Sequence, residues 1–362
     1  MSNNFLVLGF PSQLQILIAV LLGITTLCNC HATNKFECPS DDIVSPCKCF
    51  TWESEEDPDK VEVEIACRTF ELDEISLSEL FLRINKHVFK THTTHEFESL
   101  RLENTAISEV KGDIFGSISF RQVDFFNNVD LTDFQLSTFN QSAKTLETLC
   151  VQGSPLVTNS TLIEELSNFE SLETIILSND HLIGLPDGLF SHKGLSNLSY
   201  VDMSSNKITE LSRRSFYKLP SLHRLNLDSN SISYITNETF SFEDEESKIM
   251  LLFLRYNSLN SSSFEKGVFA DINKTVFVYL NHNQITYLDE AVFRPILEIK
   301  NDLFLALWNN PFECDCRSKW LLNNVDYYKK RLHGLRCQDK RDIWDYQFEE
   351  LGNCTETYSI GY

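Results

Sequence analysis

Between Phe97 and Phe312 the apolar positions recur in the order L-x-x-L-x-L-x-x-N-x-I/L, most cleanly as Leu222-x-x-Leu225-x-Leu227-x-x-Asn230-x-Ile232. The Asn position falls at Thr105, Asn128, Ser154, Asp180, Asn206, Asn230, Asn257, Asn283 and Asn310. Successive spacings are 23, 26, 26, 26, 24, 27, 26 and 27 residues. Alternation before the Asn predicts a short strand in each unit, because successive side chains in a strand point to opposite faces. In the sixth unit Leu222, Leu225 and Leu227 then point inward, while Arg224, Asn226 and Asp228 face solvent. Nine such units predict a solenoid in which each turn adds one strand to a parallel sheet and no unit stands alone.

The Asn side chain can bond backbone groups of the turn that follows, so neighbouring units are expected to stack these amides into a ladder. Ten residues beyond the Asn position stands a Phe at Phe115, Phe190, Phe216, Phe240 and Phe293; Phe139 and Phe269 fall one or two places later. This spacing predicts a phenylalanine spine filling the convex side, which is core packing and not a cofactor box.

A stack of open-ended units needs covers. Eleven cysteines mark where they lie. Cys28 and Cys30 fall in the first thirty residues, which contain no Lys, Arg, Asp or Glu and include the mostly apolar run Leu14–Leu27. That run is short for a membrane span, and small residues follow it, so residues 1–30 are expected to be a secretory signal peptide, with a signal anchor as the alternative. No later stretch reads as a span, and no hydrophobic tail precedes Tyr362, so neither a membrane helix nor a lipid anchor is expected at the C-terminal end. Cys38, Cys47, Cys49 and Cys67 precede the first unit, and Cys314, Cys316, Cys337 and Cys354 follow the last. Two sets of four in an oxidising compartment predict disulfide-stapled caps; secretion argues against zinc sites, and spacing leaves the connectivity open.

The motifs Cys38-Pro39…Pro46-Cys47-x-Cys49…Cys67 and Asn310-Pro311-Phe312-x-Cys314-x-Cys316…Trp320-Leu321…Cys337…Cys354 resemble the N- and C-terminal caps of extracellular leucine-rich-repeat proteins. That resemblance covers residues 36 to 354. It implies an α/β leucine-rich-repeat solenoid, a horseshoe with a parallel β-sheet on the concave face, an irregular, 3-10 or short-helix convex side, and disulfide caps at both ends. It also implies the pairings Cys38–Cys49, Cys47–Cys67, Cys314–Cys337 and Cys316–Cys354. The Cys38-Pro39-x-x-Asp42-Ile43 opening and the stretch Glu71-x-Asp73-Glu74 further resemble a group of arthropod secreted leucine-rich-repeat proteins that includes a non-catalytic subunit of a secreted shrimp enzyme. The expected organisation is a signal peptide at 1–30, an N-terminal cap and first irregular turn at 31–96, nine repeats at 97–309, and a C-terminal cap with a short tail at 310–362. Because Thr105, Ser154 and Asp180 replace the Asn, the first four repeats are expected to form a less regular sheet.

The formal charge of −21 disfavours nucleic acid and heparin-like polymers and favours basic partners or calcium. Its densest runs, Glu53–Asp59 and Glu243–Glu246, read first as solvated loops, since calcium also needs an ordered oxygen cage. Seven N-x-S/T sequons stand at Asn140, Asn159, Asn197, Asn237, Asn260, Asn273 and Asn353, the last doubtful because Cys354 is its middle residue. None falls on a strand of the repeat frame, which leaves the concave face bare of glycans.

Outward strand positions differ along the sheet. Repeats one to six present mixed polar groups: Arg101, Glu103, Asp124, Phe126, Gln152, Tyr200, Asp202, Arg224, Asn226 and Asp228. Repeats seven to nine present Phe253, Arg255, Phe277, Tyr279, Phe304 and Trp308. Five aromatics and an Arg on neighbouring strands predict one apolar patch and a binding site, unless the C-terminal cap or a loop folds over it. Cys150, the odd cysteine, is expected either as a free thiol beside neighbouring strands or in a disulfide to a second chain.

Catalytic motifs are missing. His92-Thr93-Thr94-His95-Glu96 lacks the spacing of a zinc-protease helix, and no G-x-S-x-G or phosphate-cradling loop occurs. No cofactor, no resident metal and no enzyme activity are expected. The sequence therefore points to a secreted, extracellular, non-enzymatic binding module or accessory subunit. Its expected partner is a protein, met through the concave face, without nucleic acid or a membrane span. A structural matrix component and a receptor ectodomain are the alternatives; the lack of any Ser-Gly dipeptide weighs against a glycosaminoglycan-bearing core protein.

Overall fold

A computed structural model describes residues 38–55, 61–91, 95–155, 165–185, 190, 195–216, 219–240, 249–272, 275–300 and 302–352. Fourteen strands occur in chain order among them. The N-terminal cap supplies β1 (Lys48–Glu53) and β2 (Val61–Cys67). The first repeats supply β3 (Glu96–Glu103), β4 (Glu109–Val110), β5 (Ser119–Phe126), β6 (Asp133–Phe134), β7 (Thr148–Gln152) and β8 (Thr174–Ser178). There follow β9 (Tyr200–Asp202), β10 (Arg224–Asn226), β11 (Ile249–Phe253), β12 (Thr275–Tyr279) and β13 (Leu303–Ala306), and the C-terminal cap adds β14 (Leu332–His333). Twelve of them form one sheet in the order β1-β2-β3-β5-β7-β8-β9-β10-β11-β12-β13-β14. The β1–β2 pair is an antiparallel hairpin and every later pairing in this sheet is parallel, as a solenoid requires. Strands β4 and β6 form a separate parallel pair.

The inward residues are those the alternation selects. Leu100, Val123, Leu149, Ile175, Val201, Leu225, Leu252, Val278 and Leu305 are buried one per strand, and the residues two places on are buried with them. Behind them the Phe spine is present. Phe190, Phe216, Phe240 and Phe269 stack face to face at centroid separations of 5.8, 6.1 and 5.8 Å. Phe115 stacks on Phe139 at 4.7 Å, and Phe293 meets Phe264 edge-on at 5.2 Å. Offset ring contacts at these distances add to the apolar burial that joins one turn to the next.

The amide ladder has a fixed grammar. In repeat six, Asn230 Oδ1 accepts from Ile208 N at 3.0 Å while its Nδ2 donates to Met203 O at 3.0 Å. Asn257, Asn283 and Asn310 do the same to Ile232 and Leu227, Leu259 and Leu254, and Ile285 and Leu280. Each side chain thus pairs a buried N–H of the preceding turn and adds a donor to a carbonyl there that the Asn of that turn also reaches.

Two expectations need correction. The segment assigned to a first irregular turn holds an 18-residue helix, Glu74–Thr91, whose Leu77, Leu80, Phe81, Ile84 and Val88 enter the core. Their spacing puts them on one helical face, so β2, this helix and β3 make a complete extra turn ahead of the nine repeats. Nor is the sheet less regular where the Asn is replaced. Strand β3, where Thr105 replaces the Asn, has 8 residues, and β7 and β8, with Ser154 and Asp180, have 5 each, whereas β9 and β10, in repeats with Asn, have 3. Replacement disturbs the ladder and leaves the strands intact, because strand pairing is carried by backbone groups and the inward apolar rows.

Both caps are covalently closed. Cys38–Cys49 and Cys47–Cys67 join the N-terminal hairpin, and Cys314–Cys337 joins the C-terminal cap. Cys316 is disulfide-bonded as well; Cys354, its expected partner, lies outside the described residues, as do residues 1–37 with the expected signal peptide. In the C-terminal cap Trp320 is buried and its Nε1 donates to Leu288 O at 3.2 Å, which locks the cap onto the last repeats.

Candidate protein-binding face

Strand register sorts the outward side chains into rows. One row runs Asp202, Asn226, Phe253, Tyr279, Ala306, His333, and the neighbouring row runs Tyr200, Arg224, Leu251, Phe277, Phe304. Adjacent strands lie about 4.8 Å apart, which is close to ring-stacking distance. Accordingly Phe253 stacks on Tyr279 at 4.7 Å with an interplanar angle of 7°, and Phe277 stacks on Phe304 at 4.8 Å and 12°. The two stacked pairs lie side by side, each ring partly shielded by its neighbour and open along its edge.

Arg255 and Trp308 take different roles from the stacked rings. Arg255 is tied to Asp228, its Nε donating to Oδ2 and its backbone N to Oδ1, both at 2.7 Å, and its guanidinium lies 5.3 Å from the Phe253 ring. Trp308 is 46% exposed and stacks on His333 of the cap, the centroids 6.1 Å apart. Gly334, with φ of +81°, lies directly behind it, where an added Cβ would come within 2.5 Å of Trp308 Cγ. Among the described residues the cap extends the sheet edge through β14 and sets the His333 ring beside Trp308.

Sequence reasoning missed the cation at the edge of the stacked rings. The Arg224 guanidinium sits 4.8 Å from the Tyr200 ring and 5.2 Å from the Phe253 ring, and its buried Nε has no hydrogen-bond partner among the described residues. The buried Asn281 Oδ1, between Arg255 and Trp308 along the sheet, also has no partner among the described residues. Only the parallel register, which sets Arg224 opposite Tyr200 and diagonal to Phe253, makes this clamp visible.

The other half of the same face is polar. Arg101 NH2 lies 3.1 Å from Asp124 Oδ2, which also accepts from Gln122 Nε2 at 2.8 Å. Burial pushes the Asp124 carboxyl above its ordinary range, and Arg101 opposes that shift. Phe126 lies under the Arg101 guanidinium at 5.6 Å, Glu103 pairs with Arg68 and Gln152 is exposed. Next along the row, Cys150 is a free thiol that is 4% exposed. Desolvation drives its pKa upward, and the charges of Asp124, Asp180 and Asp202 add to that. A bridge from Cys150 to a second chain would require the strand to open.

The sequons in the described residues, Asn140, Asn197, Asn237 and Asn260, all lie off the sheet strands; Asn159, Asn273 and Asn353 fall outside the described residues. So do the acidic run Glu243–Glu246, residues 56–59 of the other run, and residues 92–94 of the His-rich stretch. Among the described residues no group of three or more His, Cys, Asp or Glu side chains converges in a metal-holding arrangement. No helix among them is long and apolar enough to cross a membrane.

The repeat, the parallel sheet, the amide ladder and the bonded caps define a leucine-rich-repeat solenoid fold with disulfide-bonded caps. The leucine rich repeat family model matches residues 170–232. The chain is 26% identical to the Oplophorus-luciferin 2-monooxygenase non-catalytic subunit of Oplophorus gracilirostris, the match covering 88% of this chain and 92% of that protein. It is 23% identical to human podocan-like protein 1 over 64% of this chain and 47% of that one. Identity to the rat leucine-rich repeat transmembrane protein FLRT2 is 27%, over 50% of this chain and 29% of that one.

Proposed function

We propose that this chain is a secreted, non-enzymatic accessory protein that recognises a protein partner through the aromatic half of its concave face. The observation that carries this reading is the pair of stacked aromatic ladders, Phe253–Tyr279 and Phe277–Phe304, bordered by Arg224 and Arg255 on one side and Trp308 on the other. Preformed rings lose little conformational entropy on binding, and Tyr, Trp and Arg dominate interface energetics. A relative that aligns over nearly the whole chain bears the name of a non-catalytic subunit, which favours the accessory reading over that of a matrix component. The bonded caps favour an oxidising, extracellular setting.

A photo-crosslinking residue at Tyr279 tests this reading in the source's extracellular fluid, against the same residue at the exposed off-strand position Ile183. We expect a discrete crosslinked protein from Tyr279 alone. Equal labelling from both positions would contradict a concave-face site.

A further inference from the structure

The helix Glu74–Thr91 carries a second apolar stripe that the core does not use. Ile75, Leu82 and Phe89 recur every seven residues and are 68%, 56% and 66% exposed. Single exposed apolar residues are ordinary, but three at one heptad position of an 18-residue helix form a seam. Phe89 leans on His95, their rings 4.7 Å apart, and remains open on its outer side. At the intervening heptad position stand the small Ser78 and Asn85. Asn85 is committed to the fold, its Nδ2 donating to Phe115 O at 3.1 Å and its Oδ1 accepting from Ser117 N at 3.2 Å. Beside the seam run two open grooves of about 510 and 360 Å³ that share Ser78 and Ile114, one flanked by Leu82 and Phe89, the other by Ile75. Knobs from an approaching helix have holes to enter.

Charge selects the occupant. Glu74 and Glu79 lie on the first half of the helix and the exposed Lys86 on the second. With Ile75, Leu82 and Phe89 at the a positions, Glu79 and Lys86 both fall at e. In antiparallel pairing e positions face each other, so Glu79 of one copy meets Lys86 of the other twice, about a two-fold axis at Leu82. Ile75 then lies over Phe89. A parallel copy would instead bring Glu74 beside Glu79, like against like. A self-complementary patch of this kind is what an isologous dimer uses. We propose that the outer seam of this helix docks a second copy of the chain, helix against helix and antiparallel. This inference is independent of the concave-face reading, since the seam belongs to the N-terminal helix.

Sedimentation equilibrium on the full secreted chain tests it, over roughly 1 to 100 µM, the range in which a small interface associates. The protein is first enzymatically deglycosylated, because Gln141, inside the sequon that starts at Asn140, lines the first groove. We expect the weight-average mass to rise toward twice that of the protomer with concentration. Leu82→Glu and Glu79→Lys should each abolish the rise, and Glu79→Lys combined with Lys86→Glu should restore it. All three changes are at exposed positions, so folding is preserved. A wild-type mass that stays at one protomer throughout, or a dimer indifferent to Leu82→Glu, would overturn the proposal.

Discussion

Ser154 N donates to Asp180 Oδ1 at 2.9 Å, one repeat apart, while Asp180 Oδ2 is buried with no partner among the described residues. At the equivalent place in later repeats an Asn Nδ2 donates to a carbonyl of the preceding turn, so this rung is built for a donor that an ionised carboxylate cannot supply. Burial raises the Asp180 pKa to about 8, against the lowering effect of the backbone N–H groups of Ser154 and Gly153. A neutral carboxyl group, which can donate, replaces the amide.

A pH dependence follows. Below about pH 4 the carboxyl is protonated in both folded and unfolded chains and has no differential effect. Between about pH 4 and pH 8 the folded chain retains a proton that the unfolded chain has released, so stability falls as pH rises, and the loss levels off above the folded pKa. Asp180→Asn should remove this slope and stabilise the protein at pH 8 by a few kcal/mol. Urea titrations at pH 5 and pH 8 check it; equal slopes for both proteins would show the carboxyl to be ionised throughout.

Rungs carrying Asn should be costly to remove. Asn230→Ala deprives Ile208 N of its partner, while Met203 O keeps the bond from Asn206 Nδ2, and leaving one buried group unpaired costs roughly 1–3 kcal/mol. Chemical denaturation at neutral pH measures it, and a loss below about 1 kcal/mol would mean that water enters the ladder.

The two classes of aromatic should separate cleanly. Phe216, fully buried between Phe190 and Phe240, is expected to lose about 3–5 kcal/mol on conversion to Ala. Phe277, half-buried on the outer face, should lose about 1 kcal/mol. Similar losses for both would place Phe277 in the core and remove it from any binding surface.

Cys150 should be inert in the native protein. With its thiol buried and its pKa driven up, alkylation by iodoacetamide at pH 8 is expected only after denaturation. Rapid modification of the folded chain would reveal an opening of the sheet between Asp124 and Ile176, its neighbours in the row.

Much of this architecture was legible because repetition multiplies weak local signals. One Leu-x-Leu says little, but nine at a spacing near 26 fix the strands, the inward rows and the Phe spine. The Cys38–Cys49, Cys47–Cys67 and Cys314–Cys337 pairs agree with those that the family resemblance implied. The helix at Glu74–Thr91 was hidden because it lies outside the repeat frame, although Leu77, Leu80, Phe81, Ile84 and Val88 already carried its periodicity. The Arg224 clamp was not legible, since it depends on which residues of three strands become neighbours. The neutral Asp180 depends on burial, which a sequence position does not state. The less regular N-terminal sheet was a wrong inference, from side chains that bond across turns to strands that bond along their backbones.

The central claim is that the aromatic half of the concave face is where a partner binds. It is tested most directly by capture from the source's extracellular fluid, comparing the wild-type chain with a Phe277→Glu/Tyr279→Glu/Trp308→Glu variant shown by circular dichroism to be folded. The account predicts a partner retained by the wild-type chain and lost by the variant; the same partner retained by both would contradict it.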